Sequence, residues 1–365
     1  PLKQACAQFP SIFTFYTFGL LPVGATAKKA STNPIGTGPF KFESFSAGSR
    51  SVFKRNPNYW EGGGKPYFDE LVIDSSFTDN NALLNALLGG QVDLFPNIPL
   101  LSAKSQVASK QSQILQAEIA TIQYMHVMRV DKGPFADNRV RTAFKLLADR
   151  QAMVDGAFAG FGVPAYDLLA PATEYFLSDL TRQTDVEKAK SLLKAAGAAN
   201  ETFVLPIAEV FPGMVEGATL FAQQAQAAGI NVKVKQTSVS TYFTPAGGFI
   251  TRPFAEEVDQ VVPSLTVDYL AELAPGCPYP ETHWGQQPGG AAALKLIAQA
   301  IGEPDPSKAS DLWRECQMQQ YNEGGYLVWG NVPFVDAASP KVRGLSAGPG
   351  YNYNNWRLCD GWFAA

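Results

Sequence analysis

The stretch Asn33 to Trp60, NPIGTGPFKFESFSAGSRSVFKRNPNYW, sets the reading of everything around it. Pro34, Gly36, Gly38 and Pro39 crowd its entry. Glycine permits positive φ and proline removes a donor, so the chain is forced into a tight turn rather than a loose linker. Phe40, Phe42 and Phe45 then stand near period 2 with Lys41 and Glu43 between them, the pattern of a half-buried strand. The polar break Ser46-Ala47-Gly48-Ser49 and the run Ser51-Val52-Phe53-Lys54-Arg55 close a hairpin. Asn56-Pro57-Asn58 turns the chain again, and Tyr59-Trp60 ends it with two large aromatics. Two strands cannot bury such rings alone, so the hairpin is one edge of a larger lobe.

Working outward, Phe68 to Ser76 reads as a strand, and Thr78 or Asp79 caps a helix carrying Leu83, Leu84, Leu87 and Leu88 that stops at Gly89-Gly90. Gln91 to Phe95 returns as a strand, so the order predicts a βαβ crossover with parallel pairing. Strand 203–208, helix 215–228 and strand 231–236 predict a second one. Further helices are expected after Asp137, over 152–159, 185–197, 291–301 and 306–321, the one from Asp185 having a cap, an acidic first turn and late lysines. Arg139 and Arg141 read as a solvated helix face. Two long strands, 120–129 and 326–334, mix apolar and polar residues in the way expected of segments that cross from one lobe to another.

A chain of 365 residues exceeds what one core holds, so two α/β lobes are expected with a ligand between them. The net charge of -4 with no basic run argues against a nucleic-acid partner. No apolar run approaches the roughly 20 residues of a membrane span. Ser11 to Ala27 reads as mid-domain chain, with the tail of a signal peptide ending at Ala25-Thr26-Ala27 as the alternative. Cys6, Cys277, Cys316 and Cys359 are scattered without a CxxC, which leaves disulfides and buried thiols equally open.

NPIGTGPFKF with RNPNYW at 33–60, GGQVDLF at 89–95, DNRVRTAFKLLADRQAMV at 137–154 and DVEKAKSLLKAAG at 185–197 stand in the order and spacing of one family. Together they resemble the extracellular solute-binding proteins of ABC importers, family 5, the peptide and nickel binders. PFAEE (253–257), ETHWGQQPG (281–289) and DAASPKVRGL (336–345) resemble a branch of that family. The resemblance implies a two-lobe periplasmic-binding-protein-like α/β fold of type II, class C-like and N-terminally incomplete. It implies residues 1–32 as the end of an extra N-terminal subdomain, 33–125 with the return 335–365 as lobe I, and 126–334 as lobe II. The implied protein is a monomeric, non-enzymatic, periplasmic receptor that needs no cofactor. It captures a peptide or similar solute by hinge closure and hands it to the transmembrane subunits of an ABC permease. Nickel or haem is the alternative cargo within the family.

The same resemblance points to an Asp beyond the strand 256–263 as anchor for a peptide's amino group. Asp259 lies inside that strand. Asp268, next to Tyr269, is the candidate, against the plainer role of N-cap for a helix over 269–273. Tyr124, Met125, Trp284, Trp329 and Asn331 lie on or beside the two crossover segments; each is a core residue in its plain reading and a contact for varied side chains in its functional one. Two rivals remain, a truncated paralogue that binds nothing and an α/β hydrolase. For the hydrolase, Gly344-Leu345-Ser346-Ala347-Gly348 matches GxSxG, but Pro349-Gly350 follows where a helix is required, and both histidines, His126 and His283, lie upstream. The same two histidines make no zinc motif. Glu256 and Glu257 are adjacent in a strand and point to opposite faces, so they cannot work as an acid/base pair.

Overall fold

In the computed structural model, which describes residues 19–244, 251–260, 264–348 and 351–364, strands β1 (Phe40–Phe45) and β2 (Arg50–Arg55) form the expected antiparallel hairpin. Phe42 stands opposite Phe53 and packs edge-on against it. Phe40 and Phe42 are half-buried as the alternation requires, but Phe45 is exposed. β3 (Glu70–Asp74) adds antiparallel to β2. Asp79 caps the helix Asn80–Leu88 by accepting from Ala82 N, and β4 (Leu94–Phe95) follows.

The first predicted βαβ unit is not formed. β3 and β4 lie in different sheets, and β4 pairs antiparallel with a strand from the far end of the chain. Parallel strands need both faces covered, and β3 keeps three of its five residues exposed. β5 (Gln113–Gln116) completes this part after the helix Leu100–Ser109.

Residues Ile119–Pro333 form a separate compact unit inserted between Glu118 and Phe334. Its central strand is β6 (Ile122–Met128), every residue of which is buried. A short edge strand, β7 (Val163–Pro164), comes next. β8 (Thr202–Ile207) and β9 (Asn231–Gln236) are parallel and joined by the helix Met214–Ala227, so the second βαβ unit forms as predicted. β10 (Phe254–Asp259) and β11 (Tyr326–Val332) flank β6, both antiparallel to it, and β7 pairs with β11. The two long segments read from sequence are therefore direct neighbours in one sheet.

Each face of that sheet has its own core. Met125, Val127, Tyr326 and Val328 face the helices Leu265–Leu273, Pro288–Gly302 and Pro306–Glu323, which contribute Tyr269, Ile297 and Trp313. On the opposite face Phe254 and His126 meet Phe221, and Phe144 of the helix Asn138–Leu147 packs against Phe221 and Phe254. Full burial of such side chains stabilises the unit by about 1.5–3 kcal/mol each. A register shift between Val328 and Gly330 turns both Trp329 and Gly330 toward this second face.

Two sequence readings change here. Arg139 is exposed and paired to Asp137, the helix cap, but Arg141 is buried and donates to the carbonyls of Phe135 and Glu323. The helix is covered on that side as well, so its second arginine becomes a carbonyl cap rather than a solvated group. Cys277, Cys316 and Cys359 are free thiols, and Cys6 lies outside the described residues, as do residues 11–18 of the Ser11–Ala27 segment.

After Pro333 the chain rejoins the first unit. β12 (Val335–Ala338) lies between β4 and β5, and β13 (Val342–Arg343) pairs with β14 (Trp362–Phe363). The boundaries between the two compact units fall at 118/119 and 333/334. Arg357 donates to both oxygens of Glu61 and pairs with Asp360, which also accepts Lys65. These cations hold the Glu61 and Asp360 carboxyls down near 2 and neutralise the one His/Cys/Asp/Glu cluster of metal-binding size among the described residues, Glu61-Cys359-Asp360.

Candidate functional site

The candidate site of the inserted unit is a group of carboxylates, built where β10 ends and the helix Leu265–Leu273 begins. Successive side chains of a strand point to opposite faces. Glu256 therefore turns toward His126, where its Oε1 accepts from Trp329 Nε1 at 3.3 Å and its Oε2 meets His126 Nδ1. Glu257 and Asp259 turn the other way. Ser264 caps the following helix, its Oγ accepting from Val267 N at 3.3 Å. This places Asp268 inside the first turn, 3% exposed. The N-cap role read for Asp268 is thus taken by Ser264, four residues earlier, because the helix starts before Tyr269. An acid in the first turn also sits favourably in the field of the helix N-terminus.

One turn on, Glu272 stands on the same face as Asp268, and Glu281 arrives from the loop beyond the helix. The hydroxyl of Tyr326 on β11 donates to both Glu272 and Glu281. Asp259 and Asp268 lie within hydrogen-bond reach of one another. Oε2 of Glu257 and Oδ2 of Asp259 and Asp268 receive no N–H or hydroxyl hydrogen bond. Among the described residues, no lysine, arginine or histidine pairs with any of the five acids.

Burial is the largest influence on all five and raises every one of them above the ordinary carboxylate range, Glu257 to about 8. Glu257 and Asp259 keep some solvent exposure, but enough protein crowds them for burial to dominate. The neighbouring acids push in the same direction. An uncompensated buried charge costs several kcal/mol, so the group must hold protons or accept a positively charged partner.

The other sequence candidates are brought into the same unit in different ways. Tyr124 and Trp329 are fully buried with Phe158. The Tyr124 hydroxyl donates to Pro212 O at 2.7 Å, and the Trp329 ring stacks on Phe158. Met125, Tyr269 and Trp284 belong to the core under the helical face. Asn331 is 8% exposed, and its Oδ1 meets no donor. Of the seven candidates, Asp268, Tyr269 and Asn331 carry a buried side-chain oxygen without a hydrogen-bond partner. Glu257, Glu272, Glu281 and Tyr326 were not singled out from sequence as site residues. Signals existed in the period-2 spacing of Glu257 and Asp259 and the i,i+4 spacing of Asp268 and Glu272, a same-face acid pair that repels on an ordinary exposed helix.

Ser346 is exposed on a loop, and its Oγ is 3.5 Å from Asn354 Nδ2. The strand–elbow–helix arrangement that would activate it is not formed.

Residues 1–271 match the model of the bacterial extracellular solute-binding proteins, family 5 Middle. The chain belongs to this family. It is 26% identical over 367 residues to the dipeptide-binding protein of Escherichia coli (strain K12), a match covering 95% of this chain and 65% of that protein. Over 199 residues it is 29% identical to the glutathione-binding protein GsiB of Salmonella choleraesuis (strain SC-B67), covering 54% of this chain and 38% of the relative. The chain thus spans less than two thirds of these relatives. The oligopeptide-binding protein AppA from Bacillus subtilis, solved in complex with a nonapeptide, superposes with a TM-score of 0.81 at 20% identity, covering all of this chain and 75% of AppA. The α/β two-lobe fold expected from sequence is therefore the fold of this family 5 chain, and its relatives are binding proteins rather than enzymes.

Proposed function

We propose that this chain is the solute-binding component of an ABC import system, a monomeric extracytoplasmic or periplasmic receptor that captures a peptide or similar small solute and delivers it to the permease. Family membership supports this reading, as do relatives named for dipeptide and glutathione binding and a nonapeptide complex in the same fold.

The observation that carries the reading is Asp268. A carboxylate oxygen that is almost wholly buried and receives no donor suits an ammonium ion, which brings both charge and hydrogen bonds to it. The peptide's free amino terminus is the natural occupant, and Asn331 Oδ1 is a second acceptor in the same unit.

Isothermal titration with tri- and tetra-alanine, each free and N-acetylated, tests the reading, with Ni2+ as a control. The free peptides should bind at least tenfold tighter than the acetylated ones, and Asp268→Asn should remove that difference. Equal affinity for free and acetylated peptides, or binding of Ni2+ with none of peptide, would defeat it. Sedimentation of the purified chain checks the monomer.

A further inference from the structure

A cleft of about 350 Å3 opens in the inserted unit at the end of β10 remote from the acid group. Phe254 begins that strand opposite Met128, and Asp259 ends it opposite Gln123, roughly 16 Å further along. Thr202, Val204 and Pro206, which share one face of β8, line the cleft together with Lys235, the partner of Pro206 on β9. Arg252 and Phe254 line it from the β10 side, and Phe135 and Phe203 add apolar surface.

The lining holds two cations and no acid. Among the described residues, neither Lys235 nor Arg252 is paired with a carboxylate, and the Arg252 guanidinium donates no hydrogen bond. Its Nη1 is closed off from solvent, and its one charge contact is with the Tyr242 ring, 5.9 Å to the centroid. A guanidinium that has lost water at one nitrogen without gaining an acceptor favours an anion more than a fully hydrated one does. Lys132 donates to the carbonyl of Thr251 at 2.6 Å and brings a further positive charge beside Arg252, in a chain whose net charge is -4. The Thr202 hydroxyl accepts from Asn231 Nδ2 at 2.7 Å, which leaves its own proton to donate. The rest of the lining is apolar. Val204 is 46% exposed, and the Phe135 and Phe254 rings lie 4.9 Å apart between centroids, tilted by 36°.

An inorganic anion would meet the cations but leave Val204 in water. A neutral apolar molecule would cover Val204 but leave Arg252 without an acceptor. One molecule with an anionic head and an apolar ring satisfies both. The cleft lies at the lower end of the roughly 300–1,000 Å3 of small-molecule pockets, which suits a single ring and a short chain. We propose that this cleft binds a small aromatic carboxylate, its anion on Arg252 and Lys235 and its ring against Val204, Phe135 and Phe254. The site is independent of the peptide-receptor reading, since the acid group beyond Asp259 offers this ligand no cation.

Isothermal titration of the whole chain with phenylpropionate tests the proposal, with phenylpropanamide as the neutral twin and acetate and inorganic phosphate as anions without a ring. Phenylpropionate should bind at least about tenfold tighter than each of the three, a difference of about 1.4 kcal/mol. Lys235→Gln and Arg252→Gln should each weaken it by about tenfold. Val204→Asp, which sets a like charge beside the carboxylate, should abolish binding. Lys295→Gln, which removes one positive charge from an exposed position on the helix Pro288–Gly302, should leave affinity unchanged. Each variant is first shown to melt cooperatively; Lys235 and Val204 are exposed, so their substitutions keep the test open if Arg252→Gln fails to fold. Equal binding of the amide, equal binding of phosphate as an adventitious ion only, unchanged affinity in the cleft variants, or no binding at millimolar phenylpropionate would each overturn the proposal. Displacement of phenylpropionate by excess tetra-alanine would place it outside this cleft and overturn the proposal as well.

Discussion

Gly217 sits on the helix Met214–Ala227 directly over the indole of Trp329. A Cβ built there would fall well inside van der Waals range of Cζ2, with Cη2 at 2.8 Å and Cε2 at 3.1 Å. Ordinary contacts begin near 3.4 Å. The ring has little room to retreat, because it is fully buried, stacked on Phe158 at 4.9 Å between centroids and tied through Nε1 to Glu256. Overpacking a rigid core site costs about 1–3 kcal/mol. The helix gains about 1 kcal/mol when glycine becomes alanine. The overlap is deep enough to put the overpacking cost at the upper end of its range, so Gly217→Ala should destabilise the inserted unit by about 1–2 kcal/mol net, or about 2–8 °C in Tm for a unit of this size. Gly302→Ala is the control, since nothing lies within 4 Å of its Cβ position and it ends a helix; it should be neutral or slightly stabilising. Urea and thermal melts followed by tryptophan fluorescence report both. In a Trp329→Phe background the alanine's cost should largely vanish, which a double-mutant cycle measures as coupling. If Gly217→Ala melts with or above Gly302→Ala, the close approach of helix and bulged strand is wrong.

Two further expectations follow from buried charge. Asp167 is fully buried and accepts from Arg150 Nη2 at 2.7 Å and Arg182 Nε at 2.6 Å. Asp167→Asn leaves two guanidinium groups without their anion and should cost about 3–5 kcal/mol in denaturant melts, against near-wild-type stability if the network is dispensable. Glu257, raised to about 8 by burial, holds its proton in the folded chain after the unfolded chain has lost it. Its favourable contribution is intact below the unfolded carboxyl value near 4.3 and is lost as pH rises toward 8. Relative to wild type, Glu257→Gln should therefore gain about 1–3 kcal/mol of unfolding free energy between pH 5 and pH 8 without ligand; a pH-independent difference would remove Glu257 from the buried group.

Local signals settled much of this protein in advance. The hairpin at 40–55, the caps Asp79, Asp137 and Asp185, the parallel pair around Met214–Ala227 and the ordered family motifs all rest on interactions within a few tens of residues, where spacing and turn chemistry act directly. The same reasoning failed where the partner came from far along the chain. β4 has two residues and no pattern strong enough to say that it would pair with Val335–Ala338 rather than β3. Arg141 looked solvated because nothing nearby reveals that Glu323 would cover it. Asp268 was legible as a candidate, but its company was not. Glu257, Asp268, Glu272, Glu281 and Tyr326 are drawn from 70 positions of sequence, and only the closing of β10 and β11 on either side of β6 sets one beside another. Burial is a property of that packing, and burial is what turns ordinary surface acids into groups that require a cation.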